Sequence, residues 1–103
     1  MQMLNLEIDV VNAVVENTLD ITEFDVDAVW LTQINDFSIS GVILVSYNDN
    51  DDNTRYNAIK ALFTTEGIES VNDPLIGGKA GFTKYNLAEE AVKKVSKKMF
   101  QVL

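Results

Sequence analysis

The chain has 103 residues, of which 47% are hydrophobic and 23% charged, and it contains no Cys and no His. This composition can fill a core, and we expect a single compact domain over residues 1–103. The missing residue types exclude thiol nucleophiles, disulfides and histidine-based acid–base catalysis. We also expect no zinc and no other cofactor, because the usual ligand residues of structural zinc are missing.

Charge is distributed unequally along the chain. Residues 1–54 contain eleven carboxylates and no Lys or Arg, whereas all eight basic residues lie in 55–103, beside five carboxylates. Such a separation of charge affects which partners a protein binds and how fast it associates with them. A net charge of −8 argues against direct binding to nucleic acid or to an anionic membrane, since both need Lys and Arg. With no signal peptide or membrane span evident, we expect a cytoplasmic protein.

The first predicted element covers residues 4–19, which fit two patterns. Leu4, Leu6, Ile8 and Val10 alternate as in a strand, and Leu4, Ile8, Val11, Val15 and Leu19 recur at helical spacing. The length of about four turns favours a helix, although the many Val residues leave a strand open.

Two strands follow. Phe24–Ile34 alternates, and the pattern predicts one face with Phe24, Val26, Ala28, Trp30, Thr32 and Ile34. Asn35-Asp36 is typical of a turn. Ser38–Tyr47 contains the run Val42–Val45, which is apolar on both faces and predicts a central strand.

A second helix is predicted over Thr54–Glu66. Its apolar residues fall at helical spacing, acidic residues precede it, and Gly67 can supply a left-handed C-terminal cap. A hairpin is then predicted over Ile68–Ile76 and Lys79–Lys84, with Gly77-Gly78 as its turn. Pro74 inside the first of these strands indicates an edge strand.

The last predicted element is a helix from about Asn86 to Val102. Asn86 can cap it, with Glu89 completing a capping box. An apolar ridge is formed by Leu87, Ala91, Val95 and Met99, and Lys93, Lys94, Lys97 and Lys98 lie on another side. Together the elements predict an α+β fold, a mainly antiparallel four-stranded sheet covered on one face by two or three helices in a two-layer sandwich.

The acidic side chains are the first candidate binding residues. We expect a partner protein with a basic surface to contact the acidic N-terminal half. The predicted contact residues are Asp20, Glu23, Asp25, Asp27, Asp36, Asp49, Asp51 and Asp52.

The polar run Asn48–Asn53 supports two interpretations. Its carboxylates cap the helix predicted at Thr54, or Asp49, Asp51 and Asp52 bind Mg²⁺ or Ca²⁺ through hard oxygen ligands. The predicted strand, acidic loop and helix over Ser38–Ile68 resemble the opening of small ferredoxin-like nucleases, with Asp49 just after the strand. That resemblance contains no specific motif, and no activity is carried over from it.

The candidate residues for a second interface are Trp30, Lys97 and Lys98. Trp30 is expected as a core anchor, with an interface role as the alternative. Lys97 and Lys98 are expected to stay unpaired, because Glu89 and Glu90 precede Lys93 and Lys94 by four residues. They would then be available to an acidic surface, including that of a second copy.

Three functions remain open. The first is a non-enzymatic protein-binding module, resembling in charge and size the small acidic inhibitors that phages and mobile elements encode, which occludes a basic nucleic-acid-handling partner. The second is a self-assembling structural subunit, and the third is a metal-dependent hydrolase or nuclease that uses the Asp-rich loop. We rank them in that order and expect no enzyme.

Overall fold

The structure, a computed structural model, describes residues 8–64, 67–74 and 81–103, with only the backbone described for 67–74 and Val95. The elements in chain order are helix α1 (Ile8–Leu19), strands β1 (Asp25–Asn35), β2 (Ser38–Asn48), β3 (Thr54–Thr64) and β4 (Gly67–Pro74), helix α2 (Tyr85–Val95) and the short strand β5 (Phe100–Gln101). The predicted α+β class and antiparallel sheet are confirmed.

The strands form one sheet in the order β4-β3-β2-β1-β5, and every pairing is antiparallel. β2 lies at the centre, as its two-sided apolar run predicted, and Val42, Ile43, Leu44 and Val45 are fully buried. β4 lies at an edge and ends at Pro74, which confirms the edge strand. The predicted turn at Gly77-Gly78 lies outside the described residues.

α1 confirms the helical interpretation of the first element over residues 8–19. Val11, Val14, Val15, Thr18 and Leu19 are buried, which is the spacing of one helix face. The helix ends at Leu19, and Asp20 follows in the left-handed region with φ 56°. Its amide donates to the Glu16 carbonyl at 2.9 Å, so a short polar residue closes α1 where glycine is more common.

The helix predicted over Thr54–Glu66 is wrong, because Thr54–Thr64 is strand β3. It pairs with β2 along its whole length, from Asn48↔Thr54 to Ser38↔Thr64. Ile59 and Phe63 lie four residues apart, and this spacing puts two side chains on the same face both in a helix and in a strand. The long pairing with β2 decides the outcome, and Gly67 starts β4 instead of capping a helix.

The two helices pack against opposite faces of the sheet, whereas we had expected them on one. α1 covers a core that includes Val29, Ile43 and Ile59. Ala88 and Val92 of α2 pack against the strand residues that alternate with these and point to the other face. Because successive side chains of a strand point to opposite faces, the two-sided apolar pattern of β2 requires cover on both. We call these the α1 face and the α2 face.

The single apolar face predicted for β1 is also wrong, since a β-bulge divides it. Val26 pairs with Val45 and Ala28 with Leu44, which leaves Asp27 as the extra residue. Phe24 and Val26 therefore pack with the α1 face, while Ala28 and Trp30 pack with the α2 face.

The end of the chain differs from the predicted long helix. α2 begins after Lys84, which makes no side-chain capping bond, so Asn86 lies inside the first turn and the expected capping box is wrong. The helix ends at Val95 with Ser96 as its C-terminal cap, and the chain then returns to the sheet as β5. Neither described helix is long and apolar enough to cross a membrane.

Candidate functional site

The antiparallel sheet brings two acidic segments to one of its ends. β1 starts beside the end of β2, with Asp25 opposite Ser46, and the loop from β2 to β3 follows at once. Residues 20–27 and 48–55 contain seven carboxylates and a single basic residue, Arg55. We define the acidic end of the sheet by six of these carboxylates, Glu23, Asp25, Asp27, Asp49, Asp51 and Asp52.

One of the predicted contact residues, Asp36, lies at the other end of the sheet. Asp36 occupies the turn between β1 and β2, at the opposite end of an eleven-residue strand, which spans about 35 Å at ~3.4 Å per residue. Asp20 lies at the end of α1, before the connection into β1. The prediction of one acidic surface therefore joins residues that the fold separates.

Asp49 organises the loop from β2 to β3. Its Oδ1 accepts hydrogen bonds from the amides of Asp51 and Asn53, each at 2.9 Å. Its Oδ2 lies 3.0 Å from Nε of Arg55. The Asn53 amide, the Arg55 guanidinium and the Asp51 amide together lower the pKa of Asp49, against a smaller opposing effect of burial. Asp49 is therefore held as a carboxylate by its own loop.

The loop has the geometry of a hairpin connection, so the predicted capping of a helix at Thr54 is wrong. The Asp49 amide donates to the Asn53 carbonyl at 2.9 Å, and the Asp52 amide donates to the Asp49 carbonyl at 3.0 Å. Asp52 adopts φ 63°, a conformation in which Asp and Asn are enriched. Asp and Asn are thus present because they suit a turn, as the sequence indicated in part.

The strand, acidic loop and helix predicted over Ser38–Ile68, on which the resemblance to ferredoxin-like nucleases rested, do not form, because the acidic loop leads into strand β3. No group of three or more Asp and Glu side chains among the described residues is arranged to hold a metal ion. Of the three residues considered as metal ligands, Asp49 already has both oxygens engaged, while Asp51 and Asp52 are exposed on the same loop. Two carboxylates of the loop are therefore exposed to solvent, and they are not arranged as ligands around a common point.

An open groove of about 560 Å³ lies at the acidic end. One wall is the entry to β1, residues 22–25, and the other consists of the ends of β2 and β3, residues 46–48 and Thr54. Sequence reasoning found Glu23 and Asp25 here but missed Thr22, Ser46, Tyr47 and Thr54. Their only available signal was their position next to the ends of predicted strands.

Asp27 reaches the α2 face through the bulge. Its Oδ1 accepts a hydrogen bond from Oγ of Ser46 at 3.3 Å. Partial burial raises the pKa of Asp27, the hydroxyl of Ser46 opposes that rise, and the neighbouring Asp25 adds to it. The charged form of Asp27 is consequently less favourable than that of an isolated aspartate.

Tyr85 lies beside Asp27 at the start of α2. Its ring meets that of Tyr56 edge to face, with centroids 5.6 Å apart. Burial raises the pKa of the Tyr85 hydroxyl, and the charges of Glu89 and Asp27 raise it further, against a smaller effect of Lys93. The phenol therefore stays neutral and can serve a partner as a hydrogen-bond donor.

The approach of the chain to Tyr56 depends on Gly81, which has φ +69°. A Cβ at this position would lie 2.6 Å from the Tyr56 carbonyl oxygen and 3.0 Å from the Tyr47 hydroxyl. The next residue, Phe82, exchanges two backbone hydrogen bonds with Tyr56, at 2.8 and 2.6 Å. Glycine thus lets the chain pass close to β3 before α2 begins.

The predicted second interface lies away from the groove. Trp30 is half-buried among the residues of the α2 face and lies opposite Gln101 of β5. Lys97 and Lys98 are exposed in the turn between α2 and β5, not on the helix. Lys93 forms the predicted ion pair with Glu89 at 3.1 Å.

No protein-family model, no curated protein and no solved structure matches the chain. Function is therefore inferred from the residues and their geometry.

Proposed function

We propose that this protein is a non-enzymatic protein-binding module whose acidic end docks on a basic surface of a partner. The observation that carries the proposal is the grouping of carboxylates from two separate segments at one end of the sheet, beside an open groove that Glu23 and Asp25 line. Fields from such a cluster favour encounter with a basic surface and disfavour an acidic one.

Two features support a role in binding over a purely structural one. Arg55, the one basic residue in the two segments, is paired with Asp49, so it neutralises the carboxylate that builds the loop and leaves Asp51 and Asp52 exposed. The ionised form of Asp27 is disfavoured by partial burial and by the neighbouring charge of Asp25, which raise its pKa. A Lys or Arg of a partner would relieve that unfavourable state, because an opposite charge stabilises the ionised carboxyl.

The partner class follows from the same charges. A surface that accepts a row of carboxylates is rich in Lys and Arg, and surfaces of this kind commonly bind nucleic-acid phosphates. We propose that the acidic end occupies such a surface and excludes nucleic acid from it. This is the action of an inhibitor that imitates the charge of phosphate.

The proposal is tested with a fluorescent decalysine peptide and a matched pair of triple variants. One variant neutralises the acidic end with Glu23→Gln, Asp51→Asn and Asp52→Asn. The control removes three exposed carboxylates elsewhere with Asp9→Asn, Glu16→Gln and Asp36→Asn. Both variants lose the same charge, so any difference in the Kd measured by fluorescence anisotropy reports position.

We expect the first variant to raise the Kd roughly tenfold, because each exposed pair contributes ~0.2–1 kcal/mol and ~1.4 kcal/mol corresponds to tenfold. The control should raise it by much less. A single-stranded oligonucleotide should compete with the protein for the peptide, and association should slow as salt rises, given a Debye length of ~8 Å at physiological ionic strength. Equal losses in the two variants would reject the acidic end as the binding surface.

A further inference from the structure

The last strand forms an exposed edge of the sheet. β5 pairs with β1 through Leu31↔Phe100 and Trp30↔Gln101. The pairing continues to the next residues, since the Val102 amide donates to the Val29 carbonyl at 2.8 Å and the Val29 amide donates to the Leu103 carbonyl at 3.2 Å. Among the described strands none pairs with the outer side of β5, so its backbone is available to another strand.

This edge presents apolar side chains to solvent. Phe100 is 76% exposed and Val102 is 55% exposed. The two residues alternate with Gln101, so they lie on the same face of the sheet. Phe100 lies opposite Leu31, a residue of the α1 face. The edge therefore combines unpaired backbone groups with an apolar strip along the α1 face, a combination that soluble proteins normally avoid or cover.

We propose that β5 pairs antiparallel with β5 of a second copy, around a two-fold axis, so that one sheet runs through a homodimer. A two-fold axis perpendicular to the sheet keeps each face continuous, which requires facing residues to have the same orientation. The Val102 amide points to β1, so the backbone amide and carbonyl of the adjacent Gln101 point outward. Gln101 therefore lies on the axis, and Phe100 of each copy faces Val102 of the other. This apolar cross-strand pair occurs twice.

The charges at the two ends of the edge are complementary in that arrangement. Lys97 and Lys98 precede β5, on the side where β1 runs on to Thr32. At the other end, β1 runs back beyond Val29 to Asp27 and Asp25. With Gln101 on the axis, Lys98 of each copy lies in line with Asp27 of the other, two strand spacings of about 4.8 Å away. Flexible lysine stems can cover that separation.

The occupant of the edge is therefore a second copy of this chain. The edge has a basic end and an acidic end, and when two copies pair antiparallel the basic end of each lies at the acidic end of the other. The contact shares Asp25 and Asp27 with the acidic end but does not involve Glu23, Asp51 or Asp52, the three residues that the decalysine test changes, so the two tests are independent. Failure of dimerisation would leave the decalysine result unaffected, and failure of peptide binding would leave the dimer mass unaffected.

The test is a charge exchange between two variants, read by sedimentation velocity. One variant is Lys97→Glu with Lys98→Glu, and the other is Asp25→Lys with Asp27→Lys. Each variant alone places like charges opposite each other at both ends of the two-fold contact. Each should therefore sediment at the chain mass of 11.5 kDa. An equimolar mixture pairs opposite charges at both ends and should regain twice that mass, which is also the mass expected of the wild type. Circular dichroism verifies the fold of each variant.

Three outcomes would overturn the proposal: a wild-type chain that stays at 11.5 kDa up to several hundred micromolar, single variants that stay dimeric, or a mixture that stays monomeric. A second pair of variants tests the apolar strip. Phe100→Asp should abolish the dimer, whereas Phe37→Asp, at a residue that is 68% exposed in the turn between β1 and β2, should leave it intact. Dissociation by both variants, or by neither, would reject β5 as the contact.

Discussion

The two faces of the sheet differ in how they are packed. The α1 face is built from large side chains, and Ile39, Ile43 and Ile59 are completely buried there. The α2 face includes the alanines Ala28, Ala58 and Ala88. Large residues supply most of the free energy of burial, whereas small residues let a helix approach the strands closely. We therefore expect the α1 face to contribute most of the stability and the α2 face to set the position of α2.

This difference bears on the residues of the proposed binding surface. Asp27 lies at the margin of the α2 face, bonded to Ser46 and close enough to Tyr85 to raise its pKa. A short helix that covers only part of a face leaves such margins open to a partner. The following predictions test this division, beginning with the face expected to matter most for stability.

The largest effect is expected on the α1 face. Ile43→Ala removes a fully buried side chain from the central strand, and it should lower the free energy of unfolding by about 2–5 kcal/mol through lost burial and the cavity left behind. Urea denaturation measures this value. Ile34→Ala, at a residue that is 57% exposed, is the control and should change it by less than about 0.5 kcal/mol. Similar losses in both variants would contradict the assignment of the core.

The next effect is expected from crowding the α2 face. Ala88→Leu adds volume between α2 and the sheet, where Ala88 is fully buried. It should lower the free energy of unfolding by about 1–3 kcal/mol and change the near-ultraviolet circular dichroism of Trp30, which packs in the same cluster. Leu87→Ala, at the adjacent exposed position, should do neither. An unchanged Trp30 signal would mean that α2 does not pack closely there.

A smaller effect is expected from the loop at the acidic end. The folded-state pKa of Asp49 lies below its ordinary value of 3.8. Its ionisation therefore contributes stability that is present above this value and is lost as pH falls through the lowered pKa. Asp49→Asn should reduce stability at neutral pH and flatten the acid limb of the stability curve. Asp51→Asn is the control. Identical pH profiles for the wild type and Asp49→Asn would contradict the organising role of Asp49.

The smallest effect is expected at Asp27 and has the opposite sign. Its folded-state pKa is raised, so its charged form reduces stability above that pKa, and stability recovers as pH falls through it. Asp27→Asn should raise stability at neutral pH by a few tenths of a kcal/mol, since much of the group remains in contact with screening solvent. Thermal unfolding compares it with Asp36→Asn at the other end of the sheet. A loss of stability on Asp27→Asn would contradict the unfavourable charge.

The sequence predicted the elements whose pattern is read within one segment. α1, β1 and β2 appear where periodicity placed them, and the edge position of β4 follows from Pro74. β3 was missed because its apolar spacing suits both a helix and a strand, and only its register with β2 distinguishes the two. The end of α2 was missed because an apolar ridge continues beyond Val95, although the chain there turns back to pair with β1.

The candidate site was predicted by residue type but not by arrangement. The carboxylates of both segments were identified, yet their meeting depends on β1 and β2 being antiparallel, which also places Asp36 at the far end. The bulge that turns Asp27 toward the α2 face leaves no mark in the alternation of β1. Residues such as Ser46 and Tyr47, which complete the groove, carry no signal of their own because Ser and Tyr are common in strands and at their ends.

The order of the strands also has a consequence for how the chain folds. β1 to β4 form a meander in which each strand pairs with its neighbour in the sequence, and such short-range contacts close with little loss of chain entropy. β5 is the exception, since its residues return to β1 from the far end of the sequence. This pairing closes the longest loop with the fewest hydrogen bonds. The strand at the proposed dimer edge is therefore expected to form last, and its amides should exchange with solvent hydrogen sooner than those of β2.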